Sequence, residues 1–154
     1  MRLKIFTTLF LFLVASAPLD VYAQNIQAFN AEDIDYGSWI PGDGNLQNND
    51  FFCVYKDAGN RRWDVVANGD GPGGAFELND GMGNTLTINR VRVKAVDLTP
   101  GVTATNLGGA DNSAPADCGG ADNQRLRVRL LQSDMVNVPP GTYTGTLTFT
   151  VSPN

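Results

Sequence analysis

The side chains of this sequence that could take part in chemistry are mostly carboxylates in turn-rich segments. The chain has no histidine, which removes Ser-His-Asp and Cys-His catalysis and the commonest zinc ligand. Two carboxylates could in principle pair as the acid and base of a glycosidase. The candidates share Gly- and Asn-rich surroundings and are Asp43, Asp50, Asp70, Asp80, Asp111, Asp117 and Asp122. Because no spacing singles out a pair and turns commonly contain Asp, we expect no enzyme.

The same loops offer oxygen ligands of the kind that calcium prefers. The stretches PGDGNLQNND (41–50) and NGDGPGG (68–74) are the richest in Asp, Asn and Gly, and extracellular modules often bind calcium weakly. The sequence lacks EF-hand spacing, a Walker loop, a dinucleotide fingerprint and a CxxC pair. We therefore expect no cofactor and no metal, with calcium in these loops as an alternative.

The chain begins with the pattern of a secretory signal peptide. Arg2 and Lys4 precede the apolar run IFTTLFLFLVA, and VYA supplies small residues for cleavage after Ala23. The apolar run is shorter than the ~20 residues of a membrane span. We expect residues 1–23 to be cleaved, giving an exported chain that starts at Gln24 and has no integral membrane segment. A retained N-terminal anchor is the alternative.

Charge and length narrow the class of protein further. The net charge is −5, which argues against nucleic acid or anionic lipid as a partner. The roughly 130 residues after the predicted cleavage site fit one domain with a single core. Cys53 and Cys118 in an exported chain predict one disulfide, and two unpaired buried thiols are the alternative.

Period-two alternation dominates the rest of the chain, and helical periodicity is absent almost everywhere. Short apolar and β-branched runs alternate with clusters of Gly, Asn, Asp and Pro. The predicted strands are 34–40, 51–56, 61–69, 75–79, 85–98, 124–132 and the terminal segment 141–154. A long polar loop, 100–123, carries Cys118. The pattern predicts an all-β fold, an immunoglobulin-like β-sandwich of about seven short strands.

Two of these strands place basic residues on one face. Arg90, Arg92 and Lys94 alternate with Val91, Val93 and Ala95, while Arg125, Arg127 and Arg129 alternate with Leu126, Val128 and Leu130. A solvated face that discourages edge-to-edge aggregation is one interpretation. The other is a basic stripe that meets the acidic loops of a neighbouring subunit.

The terminal segment GTYTGTLTFTVSPN, 141–154, alternates most clearly. Tyr143, Leu147, Phe149 and Val151 point one way, with Gly145 leaving a gap, and threonines point the other way. A strand with one apolar and one polar face is half-buried. The end of a domain usually frays unless it is tied into a sheet, so this strand requires a partner.

The sequence resembles the spore-coat-U-type domain of archaic chaperone–usher pilus subunits. IDYGSWI (34–40) is similar to the LDFG strand of that family, and VPPGTYTGTLTFTVSP is similar to its closing strand. The resemblance implies a pilin-type domain over 34–154 whose sandwich lacks one strand and is completed by donor-strand exchange. A periplasmic chaperone would fill the gap first, and a strand of the next subunit would then replace it at an outer-membrane usher.

The resemblance also implies site residues and partners. The groove beside the last strand would be lined by Gly141, Tyr143, Leu147, Phe149 and Val151. The extension 24–33 is the candidate donor strand, through Ile26, Ala28 and Phe29. The partners would be neighbouring pilus subunits, the chaperone and the usher, with export to the cell surface. The alternative is a self-contained secreted sandwich that binds carbohydrate or calcium through its Gly/Asp-rich loops.

Overall fold

The computed structural model describes residues 24–113 and 116–154, so the predicted signal peptide lies outside the described residues. Within them the fold is all-β, as predicted, with one short α-helix, α1 (Gln132–Met135), and two three-residue 3₁₀ segments, Pro72–Gly74 and Cys118–Gly120. The strands are β1 (Ile26–Phe29), β2 (Leu46–Lys56), β3 (Arg62–Asn68), β4 (Glu77–Asn79), β5 (Thr85–Thr87), β6 (Arg90–Val93), β7 (Val96–Asp97), β8 (Ala104–Gly108), β9 (Gln124–Leu130) and β10 (Thr148–Pro153). No helix in the described part of the chain is long and apolar enough to cross a membrane.

The strands form two main sheets and a hairpin. The first sheet has the order β1-β2-β9-β6-β7, and the second has the order β10-β3-β8. Strands β4 and β5 pair as a separate hairpin. The pairs within these sheets are antiparallel, consistent with the predicted sandwich.

The core lies between the two sheets and takes alternate residues from each. Val54, Val91 and Val128 come from the first sheet, whereas Trp63 and Val65 come from the second, and all five are at most 3% exposed. Phe52 packs edge-on against Trp63, with ring centroids 6.5 Å apart. The period-two pattern of the sequence therefore marks the buried face correctly in β2, β3, β6 and β9.

The predicted strand 34–40 is wrong, because this segment is irregular. The carboxylate of Asp35 accepts a hydrogen bond from the amide of Gly37 at 2.7 Å, and Gly37 has a φ of 65°. This local turn interrupts the extended run. Trp39 and Tyr36 still pack against the core. The apolar alternation therefore reflects which side chains are buried, although the segment forms no backbone hydrogen-bond ladder with another strand.

Other strand boundaries also differ from the prediction. The predicted loop 100–123 contains β8, which pairs with β3. The predicted strand 85–98 is divided into β5, β6 and β7, with Lys94 at a φ of 55° in the turn between the last two. Strand β2 starts at Leu46, inside the stretch predicted as a turn. Pairing with a neighbouring strand overrides local propensity in β2 and β8, whereas a turn separates β6 from β7.

Candidate functional site: the open edge of strand β10

Strand β10 lies at the edge of the second sheet. It pairs antiparallel with β3, with Phe149 opposite Ala67 and Val151 opposite Val65. In the described part of the chain no strand pairs with its other side. One edge of β10 therefore presents backbone donors and acceptors that no strand within residues 24–113 and 116–154 pairs with.

The apolar side chains of the terminal segment are half-buried. Tyr143, Leu147, Phe149 and Val151 all contact the core cluster but keep part of their surface exposed. Their neighbours on β3 differ, because Trp63, Val65 and Ala67 are 1% exposed or less. The intervening threonines are exposed. The core-facing side chains of β3 are thus fully covered, whereas those of the terminal segment keep part of their surface exposed to solvent.

The segment before β10 is held by strand β4 and by the loop that follows β3. Residues 141–147 are not a strand, although Thr144 and Asn79 exchange two backbone hydrogen bonds of 2.8 and 2.9 Å. Gly145 lies so close to β4 that a Cβ there would be 2.5 Å from the carbonyl oxygen of Glu77. The carboxylate of Asp70 accepts from the amide of Thr146 at 2.6 Å. Gly145 therefore permits a close backbone approach, which the sequence shows only as a gap in the apolar row.

Strand β1 lies on the same side of the sandwich as β10. It pairs with β2 in the first sheet, and its Cα atoms come within 8 Å of those of β10 without a ladder between them. Ile26 packs against the core, Ala28 is exposed and Phe29 is half-buried.

The candidate donor residues Ile26, Ala28 and Phe29 are engaged within their own chain. Their backbone is paired with Lys56, Val54 and Cys53 of β2. To serve as a donor for another subunit, this segment would have to leave β2. The donor role of 24–33 remains a prediction.

A buried lysine fastens the end of β10. Lys56 has no exposed surface, and its Nζ donates to the main-chain oxygens of Arg62 at 3.0 Å and Asn154 at 2.8 Å. It also donates to the side-chain oxygen of Asn60 at 3.3 Å. A buried ammonium requires such partners. Lys56 therefore ties β2, the β2–β3 turn and the terminal residue together.

We expect Lys56→Met to lower the free energy of unfolding by about 1–3 kcal/mol, because three hydrogen bonds made by the buried ammonium are lost. Urea denaturation measures this change. Lys94→Met is the matched control, since Lys94 is exposed and donates to a single acceptor, the carbonyl oxygen of Gly108. An unchanged or higher stability of Lys56→Met would mean that relief from burying the charge outweighs the lost hydrogen bonds.

The predicted disulfide is confirmed between Cys53 and Cys118, with Cα atoms 6.2 Å apart. It fastens the segment between β8 and β9 to the outer face of β2. Asn123 adds to this attachment, because its side chain accepts from the amide of Val54 and donates to its carbonyl oxygen, both at 3.0 Å. Asp111 exchanges further backbone hydrogen bonds with the same strand. The bridge and these contacts hold the segment against β2.

Two titratable groups close to the segment before β10, Asp80 and Tyr143, have shifted pKa values. A side-chain hydrogen bond from Asn84, at 2.6 Å, is the main cause that lowers the pKa of Asp80. Burial, and secondarily the charge of Asp80, raises the pKa of Tyr143. The Tyr143 hydroxyl donates to the carbonyl oxygen of Pro139 at 2.9 Å. Tyr143 is therefore a neutral anchor at the start of the apolar row.

The loop carboxylates serve mainly as local caps. Backbone amides donate to Asp43, Asp80, Asp111 and Asp117 at 2.8–3.0 Å, as Asp does in turns. In residues 24–113 and 116–154, no three Asp, Glu or Cys side chains are grouped so that they could hold a metal ion. The geometry of these loops is accounted for by turn chemistry.

Comparison with known proteins gives a likeness of fold. No family model matches the sequence, and no curated protein does. A chain in a solved structure, described as a chaperone–tip adhesin complex vital for activation of CFA/I fimbriae biogenesis, superposes with a TM-score of 0.59 at 18% identity. The match covers 84% of this chain and 42% of that chain, so the chain spans less than half of that relative's length. The likeness is therefore one of fold.

Proposed function

We propose that this protein is a structural, non-enzymatic subunit of a surface pilus, assembled by donor-strand exchange along the chaperone–usher route. The observation that carries the proposal is the open edge of β10 beside a half-buried apolar row. An extended segment from another molecule could add to this edge, with backbone hydrogen bonds giving affinity and alternate side chains setting register. The likeness to a fimbrial complex supports the same assignment.

The partners follow from this mechanism. A periplasmic chaperone would protect the opening during export, and a neighbouring subunit would then replace it at an outer-membrane usher. Exposed edges and apolar openings cause aggregation unless they are covered, so a temporary partner has a physical reason. The disulfide supports an exported protein, since such bridges persist in oxidising compartments. The spore-coat-U resemblance of the closing strand is what favours the archaic type of this route.

The proposal is tested by appending a donor strand to the chain. A copy of residues 24–33 joined after Asn154 through a flexible linker is expected to keep the protein monomeric and to raise its melting temperature. Burial of Ile26, worth about 1.5–3 kcal/mol, together with the smaller gain from Ala28 on the same face, provides the stabilisation. Size-exclusion chromatography and calorimetry measure the two effects.

The matched control carries Asp at the positions of Ile26 and Ala28 in the appended copy alone. It has the same length and linker, and it should behave like the unmodified chain because a charge cannot enter the apolar row. If the unmodified chain is already a stable monomer, and neither appended strand changes it, the assembly proposal is wrong.

A further inference from the structure

The outer side of the first sheet carries a dense array of positive charge. The arginine face consists of Arg90 and Arg92 on β6 and Arg125, Arg127 and Arg129 on β9. The register places Arg90 directly opposite Arg129 and Arg92 directly opposite Arg127. Like charges directly opposite each other in an antiparallel pair are destabilising. The fold therefore bears a cost at these positions that needs an explanation.

The chain compensates this charge only in part. Asp97 is the carboxylate that pairs with the face, at 3.3 Å from Arg90 and 2.7 Å from Arg92. The acceptors for Arg127 and Arg129 are neutral side-chain oxygens of Asn49, at 3.2 Å, and Asn89, at 2.6 Å. Arg125 is exposed, and the other four arginines of the face are half-buried. The face is thus available to an anionic partner.

The rest of the molecule has the opposite sign. The chain has 16 acidic and 11 basic residues, and five of those 11 are in the arginine face. One group of carboxylates surrounds the segment before β10, at the end of the second sheet. This acidic rim consists of Asp70, which binds the amide of Thr146, Glu77 on β4, and Asp80, whose charge acts on Tyr143. One molecule therefore carries both halves of a complementary pair on different layers.

We propose that the arginine face binds the acidic rim of a second copy of this chain. Because the two surfaces differ, the contact is heterologous, and repeated contacts of this kind extend into open assemblies. The inference rests on the proposed function for its setting, since subunits of one fibre meet at high local concentration. A polyanion such as a sulfated glycan is the less favoured occupant, because the chain itself carries the complementary carboxylates of the acidic rim.

Sedimentation velocity of the full exported chain tests the inference at about 0.02 M and about 0.5 M salt, which the Debye length separates clearly. We expect self-association at low salt that high salt reverses. Arg127→Gln with Arg129→Gln should weaken it by about 3- to 30-fold, the loss expected for two exposed charge pairs. Arg61→Gln with Arg62→Gln removes the same charge from β3 and the preceding turn and should leave the association unchanged.

The partner surface is tested by isosteric neutralisation of the acidic rim. Asp70→Asn, Glu77→Gln and Asp80→Asn together should weaken low-salt association to a similar extent, because they remove the three negative charges of the rim. The fold should be kept, because an Asn side chain retains an oxygen that accepts the backbone hydrogen bonds of Asp70 and Asp80. The inference is overturned if association is absent at low salt, or if both sets of variants leave it unchanged. Retention on a heparin column that depends on Arg127 and Arg129, without self-association, would assign the face to a polyanion instead.

The failure of this inference is distinguishable from failure of the proposed function. Strand addition depends on backbone hydrogen bonds and apolar burial, which salt does not screen. Polymers that form in high salt and survive the Arg127 and Arg129 changes would support strand exchange while excluding the arginine face as a contact. Conversely, if no polymers form in high salt but the salt-sensitive self-association is observed, strand exchange is excluded and the contact of the arginine face is supported.

Discussion

Phe149→Asp is expected to abolish assembly of the chain into polymers. Phe149 lies in the middle of β10, opposite Ala67, and its side chain is half-buried against the core. A carboxylate at this position would have to be buried beneath any strand that adds to the edge. Burying an unpaired charge is far more costly than the gain from one added strand. Negative-stain microscopy and size-exclusion chromatography measure the loss.

The control for this experiment lies one residue away. Thr150→Asp introduces the same charge on the exposed face of β10, opposite Val66, and we expect it to leave assembly intact. Circular dichroism shows whether each variant folds. If Phe149→Asp does not fold, Phe149→Ser provides a milder change at the same position. Normal polymers from a folded Phe149→Asp protein would show that the apolar row is not the contact.

Replacing both Cys53 and Cys118 with alanine is expected to lower the free energy of unfolding by about 4 kcal/mol. The bridge closes a loop of 65 residues, and the chain-entropy model gives this magnitude for a loop of that length. Removing the bridge also frees the segment that Asn123 holds against β2. Urea denaturation of the oxidised protein and the double variant measures the difference.

Reducing agent provides the control for the disulfide. It should destabilise the natural chain to about the level of the double variant, and it should have no effect on the double variant itself. A difference below about 1 kcal/mol between the two proteins would show that the hydrogen bonds of Asn123 and Asp111 hold the segment without the bridge.

The parts of the fold that the sequence predicts are those with uninterrupted alternation. The arginine-bearing strands are the clearest case, because Val91, Val93, Leu126 and Val128 are buried as the pattern indicates. The terminal row from Tyr143 to Val151 also has the predicted facing. Period-two alternation predicts burial well, since it depends only on the pleat of a strand.

The parts that the sequence does not predict depend on contacts made over long distances. Residues 34–40 alternate like a strand, yet an Asp35 turn prevents a ladder. Strand β8 has polar, turn-like residues and forms because β3 offers it an edge. The length of apparent alternation therefore does not fix which segments pair.

The burial of Lys56 could have been predicted from the alternation of the sequence. Lys56 stands at the end of FFCVYK, where a charge is usually exposed. It follows Phe52 and Val54 at intervals of two residues, so its side chain lies on the same face of the strand as theirs, toward the core. The alternation thus places Lys56 inside, although the acceptors from Asn60, Arg62 and Asn154 become visible only in the structure.

The account depends most on the outer edge of β10, which no strand in the described part of the chain covers. Hydrogen exchange of residues 148–153 tests it directly, with and without the appended copy of residues 24–33. In the chain alone, the amides that point away from β3 should exchange rapidly while those bonded to β3 are protected, and the appended strand should protect both sets. Equal protection of both sets in the chain alone would contradict the account, because the edge would already be paired.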